Sequence, residues 1–252
     1  MAAPASPEVF KRSTNRRLYT WVAIGAALTV FAGFARTYYL KSFYTTPSPN
    51  HPVLRALLHI HGLVMTTWFV LFIVQVRLIA AHRADLHRRL GVAGAILAGL
   101  VVAIDIGVSL RNVHRLFIAQ AGSTRALGFL AINFGVLLSF GILVAAAVLL
   151  RRRPDYHKRF MTLACLSILG AAIDPLPLTL PFLGFLDSFS QWEMFGVWGI
   201  WVAVCIAADA LKNRRLHPAW IWGARLVVGL QVTAGAVRYT SSWQQFAAWL
   251  VR

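Results

Sequence analysis

Seven apolar runs dominate this chain, at about 18–40, 53–80, 91–110, 126–150, 159–180, 192–211 and 219–238. Each is near the roughly 20 residues that a helix needs to cross the hydrocarbon core of a bilayer. Inside lipid a backbone must bond within its own segment, so runs of this kind predict an all-α, polytopic membrane protein with seven transmembrane helices. Composition agrees, because only 13% of residues are charged while 58% are hydrophobic. A soluble domain carries about a quarter charged residues. Cys165 and Cys205 both fall within runs and have no C-x-x-C spacing, so they read as core-filling thiols. The first run is too long for a signal-peptide core and lacks a small-x-small cleavage site, which predicts a retained first span.

Charge placement sets the expected orientation. The net charge is +17, but the basic residues come in short clusters between apolar runs. That is how membrane topology is set, whereas a nucleic-acid reader carries its charge as a stripe on a soluble fold, so no nucleic acid is expected as a partner. One side holds Lys11, Arg12, Arg16 and Arg17; Arg83, Arg88 and Arg89; Arg151 to Arg153 with Lys158 and Arg159; and Lys212, Arg214 and Arg215. The other holds Lys41, Arg55, Arg111, Arg115, Arg125 and Arg252, with Arg238 at its edge. The positive-inside rule puts the first set in the cytoplasm, giving an N-in, C-out protein. The expected organisation is a cytoplasmic segment over 1–17, a seven-helix domain over 18–238, and an outer interfacial amphipathic segment over 239–252. In that last segment Trp243, Phe246, Ala247 and Leu250 recur at helical spacing, which predicts a helix lying on the outer leaflet.

The chain repeats itself. Asp85-Leu86-His87-Arg88-Arg89-Leu90 opens the third run and Asp155-Tyr156-His157-Lys158-Arg159-Phe160 opens the fifth, their histidines 70 residues apart. Ala103-Ile104-Asp105 and Ala172-Ile173-Asp174 follow, with the aspartates 69 residues apart. The units, about 53–110 and 126–180, run the same way, so the expected repeat is parallel and relates helices two–three to helices four–five. The doubled Asp-x-His-(Arg/Lys)-Arg element has two readings. It serves as an N-cap with lipid anchors, or it makes His87, Arg88, Arg89, His157, Lys158 and Arg159 a cytoplasmic contact for anionic headgroups or a partner.

Polar residues inside the runs gather at one depth. Counting inward at 1.5 Å per residue, Asp105 and Asp174 lie roughly 8 Å below the outer boundary, Asn133 roughly 10 Å, and His59 and His61 roughly 9–12 Å, with Arg36 nearby. Gln191 and Glu193 sit at the rim of the sixth run. An aspartate at mid-span costs about 2.5–3.5 kcal/mol on insertion scales, so such residues face the bundle interior or a wet cavity. His59, His61, Asp105, Asn133, Asp174 and Arg36 are therefore the expected periplasm-facing pocket. His59 and His61 lie about 200° apart around a helix, so at most one faces inward. That one with Asp105 and Asp174 would make a three-ligand metal set with an open position; a hydrogen-bonded packing network and a proton or small-ion site are the other readings. Haem needs a second axial histidine, which only His114 or His51 folding over the outer mouth would supply. In the fifth run Asp174-Pro175, Pro177 and Pro181 predict a bend or stop.

Several of these residues carry a resemblance. His59-Ile60-His61-Gly62, Thr67-Trp68-Phe69, Leu71-Phe72, Gln75 and Leu86-His87-Arg88-Arg89-Leu90-Gly91 resemble a widespread group of uncharacterised bacterial multi-span membrane proteins. Pro154-Asp155-Tyr156-His157-Lys158-Arg159-Phe160-Met161 is similar to that group's second hallmark. The resemblance covers about spans two to five; it implies a bacterial membrane protein and brings no established activity. A broader resemblance to the cytochrome b561 type rests on multi-helix form and loop histidines. The leading expectation is thus an inner-membrane protein whose outer pocket binds a small ligand, ion or cofactor, a metal ion or haem among them. An accessory or scaffold subunit packed against other membrane subunits, and a haem-linked redox or metal-dependent membrane enzyme, are the alternatives.

Overall fold

A computed structural model of the chain describes residues 7–44, 52–120, 122–188 and 191–252. Among them every regular element is helical: α1 (Pro7–Phe34), running into a π-helical turn (Ala35–Tyr39), α2 (Lys41–Tyr44), α3 (Pro52–Ala80), α4 (Ala84–Ala119), α5 (Thr124–Leu149), α6 (Pro154–Ser167), α7 (Gly170–Ile173), α8 (Leu176–Thr179), a 3-10 turn (Pro181–Ser188), α9 (Gln191–Asn213), α10 (Pro218–Val237) and α11 (Ser241–Leu250). Six of these helices are long and apolar enough to cross a membrane. The pair Pro154–Ser167 and Gly170–Thr179, bent by 40°, adds a further candidate as a broken span or a re-entrant loop. The architecture is consistent with a polytopic helical membrane protein. His51, residues 1–6 and the side chains of Lys11, Arg12, Arg16, Arg55, Gln191 and Glu193 lie outside the described residues.

The fifth apolar run forms the centre. Phe160 and Thr162 to Ser167 on α6 are all buried, with α1, α5, α9 and α10 packed around them. The free thiols of Cys165 and Cys205 are part of this core. α4 is peripheral by comparison, burying only Ala98, Val101, Ser109 and Val113.

The central run breaks twice. The second break, at Asp174-Pro175, is the one the prolines predict. The first comes at Ile168-Leu169, upstream of any proline, where the indole of Trp198 on α9 donates to the Leu166 carbonyl at 2.5 Å. That carbonyl would otherwise accept from Gly170 four residues on; here the chain tightens instead, with Leu169 N–H donating to the same oxygen at 3.0 Å. A contact from another helix thus stands in for a helical turn.

One helix runs beyond the sequence expectation, and its end meets the C-terminal segment. The third run was expected to end near residue 110, but α4 continues to Ala119, 36 residues in all. At 1.5 Å per residue it is about 54 Å long, well beyond a hydrocarbon core of roughly 30 Å. Its projecting end carries Val113, Leu116 and Phe117, which form a second small core with Leu127 and Leu130 of α5 and Ala247 and Val251 of the C-terminal segment. The amphipathic segment is therefore docked on protein along its apolar stripe. Trp243 donates to the Leu127 carbonyl at 2.9 Å, Gln244 to the Thr124 carbonyl at 3.1 Å, and His114 Nδ1 meets the Val251 carbonyl at 2.5 Å. Only Phe246 and Trp249 remain exposed as large apolar groups on α11.

Candidate functional site

On the side of the basic loops the structure builds a buried polar hub around Asp209. Its carboxylate accepts from Tyr19 Oη at 2.9 Å, Arg159 Nε at 2.8 Å, Trp220 Nε1 at 2.9 Å and Asn213 Nδ2 at 3.1 Å, and Arg159 Nη2 lies 2.8 Å away. Asp209 is 0% exposed and Arg159 2%. Four helices, α1, α6, α9 and α10, meet through this one carboxylate. Arg159 was among the residues expected to touch headgroups; it is instead an internal ion-pair partner, because Asp209 offers it a carboxylate that no lipid can reach. Its counterpart in the first copy of the motif, Arg89, is exposed, as is Arg88, while Lys158 pairs with Asp155 at 2.7 Å. The two copies have thus diverged in use.

Beside the hub, His217 caps α10: its Nδ1 accepts from Ala219 N–H at 3.1 Å, and its ring stands edge-on to Tyr156 at 4.7 Å between centroids. Burial, and next the positive charge of Arg159, hold its pKa below the ordinary histidine range. The unfolded chain protonates near pH 6.5 while the folded ring stays neutral, so the stability His217 confers is intact above that pH and is lost as pH falls through its lowered folded pKa. Asparagine caps a helix without titrating in this range. The melting midpoint of His217→Asn should therefore fall less than that of the wild type between about pH 7 and pH 4.5.

The two motif histidines face each other. The His87 and His157 rings are perpendicular with centroids 6.0 Å apart. His157 Nδ1 donates to the Ala147 carbonyl at 2.8 Å. With the Gln75 amide oriented by its surroundings, its N–H reaches the His87 carbonyl at 3.2 Å and the His87 Nδ1 at 2.5 Å, while its oxygen accepts from Gly91 N–H at 3.0 Å. Both rings are half-buried and turned inward, away from the headgroup contact expected of them.

The opposite side holds the expected pocket residues, spread over several contacts. Of the two histidines on α3, His61 turns toward α4, its Nδ1 3.4 Å from Asp105 Oδ1, with side chains 23% and 20% exposed. His59 is exposed and lies against the Tyr38 ring, 5.7 Å between centroids. Asn133 on α5 donates to Ser109 on α4 at 2.6 Å. Arg36, in the π-helical turn, donates to the Leu178 carbonyl of α8 at 2.7 Å. From the same turn Tyr38 donates to the His59 carbonyl at 3.2 Å and Tyr39 meets Thr66 at 2.8 Å. The turn therefore ties α1 to α8 on one face and to α3 on the other. Asp174 is exposed at the second break of the central run and joins no other pocket residue.

Of the metal candidates His59, His61, Asp105 and Asp174, the structure brings His61 and Asp105 together. Among the described residues no three His, Cys, Asp or Glu side chains come together in a group that could hold a metal ion. The reason is positional: a common depth brings residues to one layer, but rotation about each helix axis decides which of them meet. His114, the other candidate axial histidine, has its Nδ1 held by the Val251 carbonyl of the C-terminal segment.

The Asp209 hub escaped the sequence reading. Its one legible sign was a lone carboxylate near the basic end of an apolar run, and the partners it needed lie up to 190 residues away. No protein-family model, no curated protein and no solved structure matches this chain.

Proposed function

We propose that this is an inner-membrane protein of bacteria, crossing the bilayer seven times with its N-terminus in the cytoplasm, and that it binds a small ligand or ion in its periplasmic half at His61 and Asp105. Counting the broken α6–α8 pair as one crossing supports the seventh span, and the basic residues gathered on one side support the orientation. The inward approach of His87 and His157 supports a parallel relation between the two hairpins. The exposed Arg88, Arg89 and Arg151 to Arg153 suit anionic headgroups at the cytoplasmic surface.

One observation carries the binding reading. Asp209, the packing carboxylate, is filled by donors from four side chains, whereas among the described residues Asp105 has a single polar partner, His61, at 3.4 Å. A charged group kept at membrane depth without saturating contacts marks a functional site more than a structural one. With His61 neutral and its Nδ1–H toward the carboxylate, the pair presents a second carboxylate oxygen and the imidazole Nε2 lone pair. That acceptor set suits a small cation or a protonated ligand.

The test is purification in detergent, a visible spectrum and metal analysis, and melting of wild type and Asp105→Asn across a panel of metal and ammonium ions. Asp105→Asn should change the unliganded stability by less than about 1 kcal/mol, as expected for a partly exposed pair, and abolish ligand-induced stabilisation. A large loss of stability in the variant, or the same response in both proteins, defeats the reading. A Soret band would move the assignment to a haem-linked redox protein. The accessory-subunit reading has its own support: Gly91, Ala95, Gly99, Ala103 and Gly107 recur every fourth residue on α4, and the middle three are exposed. Such a small-residue face accepts a second membrane helix, and a stoichiometric partner without ligand response in the same preparation would favour it.

A further inference from the structure

The two copies of the loop motif put one histidine each at the start of α4 and of α6, and the rings meet at 6.0 Å between centroids. Hydrogen bonds fix a different neutral form of each. His157 Nδ1 donates to the Ala147 carbonyl of α5 at 2.8 Å, so its Nε2 carries the lone pair. His87 Nδ1 instead accepts from the Gln75 amide of α3 at 2.5 Å, so its proton sits on Nε2. The same amide grips the α4 backbone, through the His87 carbonyl at 3.2 Å and the Gly91 N–H at 3.0 Å. One side chain thus both meets the titrating nitrogen of His87 and holds the start of α4 to α3. The acids of these loops are engaged elsewhere: Asp85 lies 3.3 Å from Arg83, and Asp155 2.7 Å from Lys158. Arg159 is turned into the Asp209 hub. Arg77 on α3, His82, Arg89 and Arg151 to Arg153 are exposed. The charges that act on His87 are positive, those of His157 when protonated and of Arg88.

We propose that Gln75, His87 and His157 form a proton-sensitive joint, through which acidification at the face of the basic loops loosens the start of α4 from α3 and from α6. A proton arriving at His87 must take Nδ1, the nitrogen already occupied, and turns it from acceptor to donor. Two donors then face each other, and the Gln75 amide must turn over or leave. Turning it sets its oxygen against the His87 carbonyl and its N–H against the Gly91 N–H, so both backbone contacts are lost. A proton arriving at His157 takes Nε2 and keeps the Ala147 bond, but it places a charge beside His87 that opposes a second one. The folded joint therefore favours a neutral His87, whereas a histidine in the unfolded chain protonates near pH 6.5. The stability the joint confers is present above that pH and is lost as pH falls below it. Histidine changes charge in the physiological range, which suits such a device. The joint lies on the opposite face from His61 and Asp105 and does not depend on that assignment.

The experiment compares the full chain in detergent at about pH 7.5 and about pH 5.5, with and without Gln75→Glu. Both proteins carry His217→Asn, which removes the pH dependence of the α10 cap. The His217→Asn protein should melt about 2–4 °C lower at the acid pH. Its backbone hydrogen exchange, corrected for intrinsic rate, should quicken several-fold over residues 85–91. Gln75→Glu offers the protonated ring an oxygen, so it should lose most of the acid shift or reverse it, with no faster exchange over 85–91. An acid shift of the same size in Gln75→Glu overturns the joint, as does unchanged exchange over 85–91 in the His217→Asn protein. If Gln75→Glu does not fold, exchange in the His217→Asn protein decides alone. Acceleration centred on 85–91 and the facing 154–160 supports the joint, and uniform acceleration along every helix overturns it.

Discussion

Replacing Asp209 by alanine is expected to destabilise the protein by about 3–5 kcal/mol, the usual cost of stripping one partner from a buried ion pair. The loss has several sources acting at one point. Arg159, 2% exposed, would keep its charge with only the Asp155 carbonyl at 2.8 Å and the Asp155 carboxylate at 3.4 Å to receive it. Tyr19 Oη and the Trp220 indole would be left as buried donors without an acceptor, each costing on the order of 1–3 kcal/mol where no water enters. Asp209→Asn keeps an acceptor and should cost less. Removing both charges, as Asp209→Leu with Arg159→Met, should recover part of the loss, because an apolar pair carries no desolvation penalty. Arg89→Ala, the matching change in the first motif copy, should stay within about 0.5 kcal/mol since Arg89 is exposed. Thermal melts in detergent read all four; equal effects of Arg89→Ala and Asp209→Ala would refute the hub.

Gly33→Ala is the second large effect expected. A Cβ at this position would lie 2.0 Å from the Ala172 carbonyl oxygen, 2.9 Å from its carbon and 3.2 Å from its Cα. All three atoms are backbone, so no rotamer change relieves the overlap and α1 must move off the broken central helix. Alanine favours a helix over glycine by about 1 kcal/mol, which would make the change stabilising at an open position. Here overpacking of about 1–3 kcal/mol or more opposes it and wins, because the neighbour cannot yield. Gly223→Ala is the informative comparison. Its Cβ would lie 2.3 Å from Leu163 Cδ1, the far end of a side chain, and a leucine can shift where a carbonyl cannot. A lower melting midpoint for Gly33→Ala than for Gly223→Ala is the expected order, and a stabilised Gly33→Ala would show that the crossing is looser than the structure has it.

The same crossing shows where reading residues in a line stops. Helical class and most candidate crossings follow from the apolar runs, since each run's need to leave water is a property of its own residues. The break at Asp174-Pro175 is equally local, because a missing N–H is missing in any fold. That no more than one of His59 and His61 faces inward follows from helical geometry alone. The break at Ile168-Leu169 is different: it depends on an indole from α9, 32 residues away. The length of α4 depends on the small core its end shares with α5 and α11. Asp209 and Arg159, 50 residues apart, look like an isolated acid and a headgroup anchor until packing closes them together.

What the chain determined by itself is therefore its helical class and its long apolar segments, fixed by transfer of side chains and backbone out of water. Which polar residues meet was left to tertiary structure, because rotation about each helix axis and the choice of neighbours are settled only when helices pack. That is why His61 finds Asp105 and Arg159 finds Asp209, while Asp174, placed by residue count in the same layer as Asp105, stays exposed and apart from both.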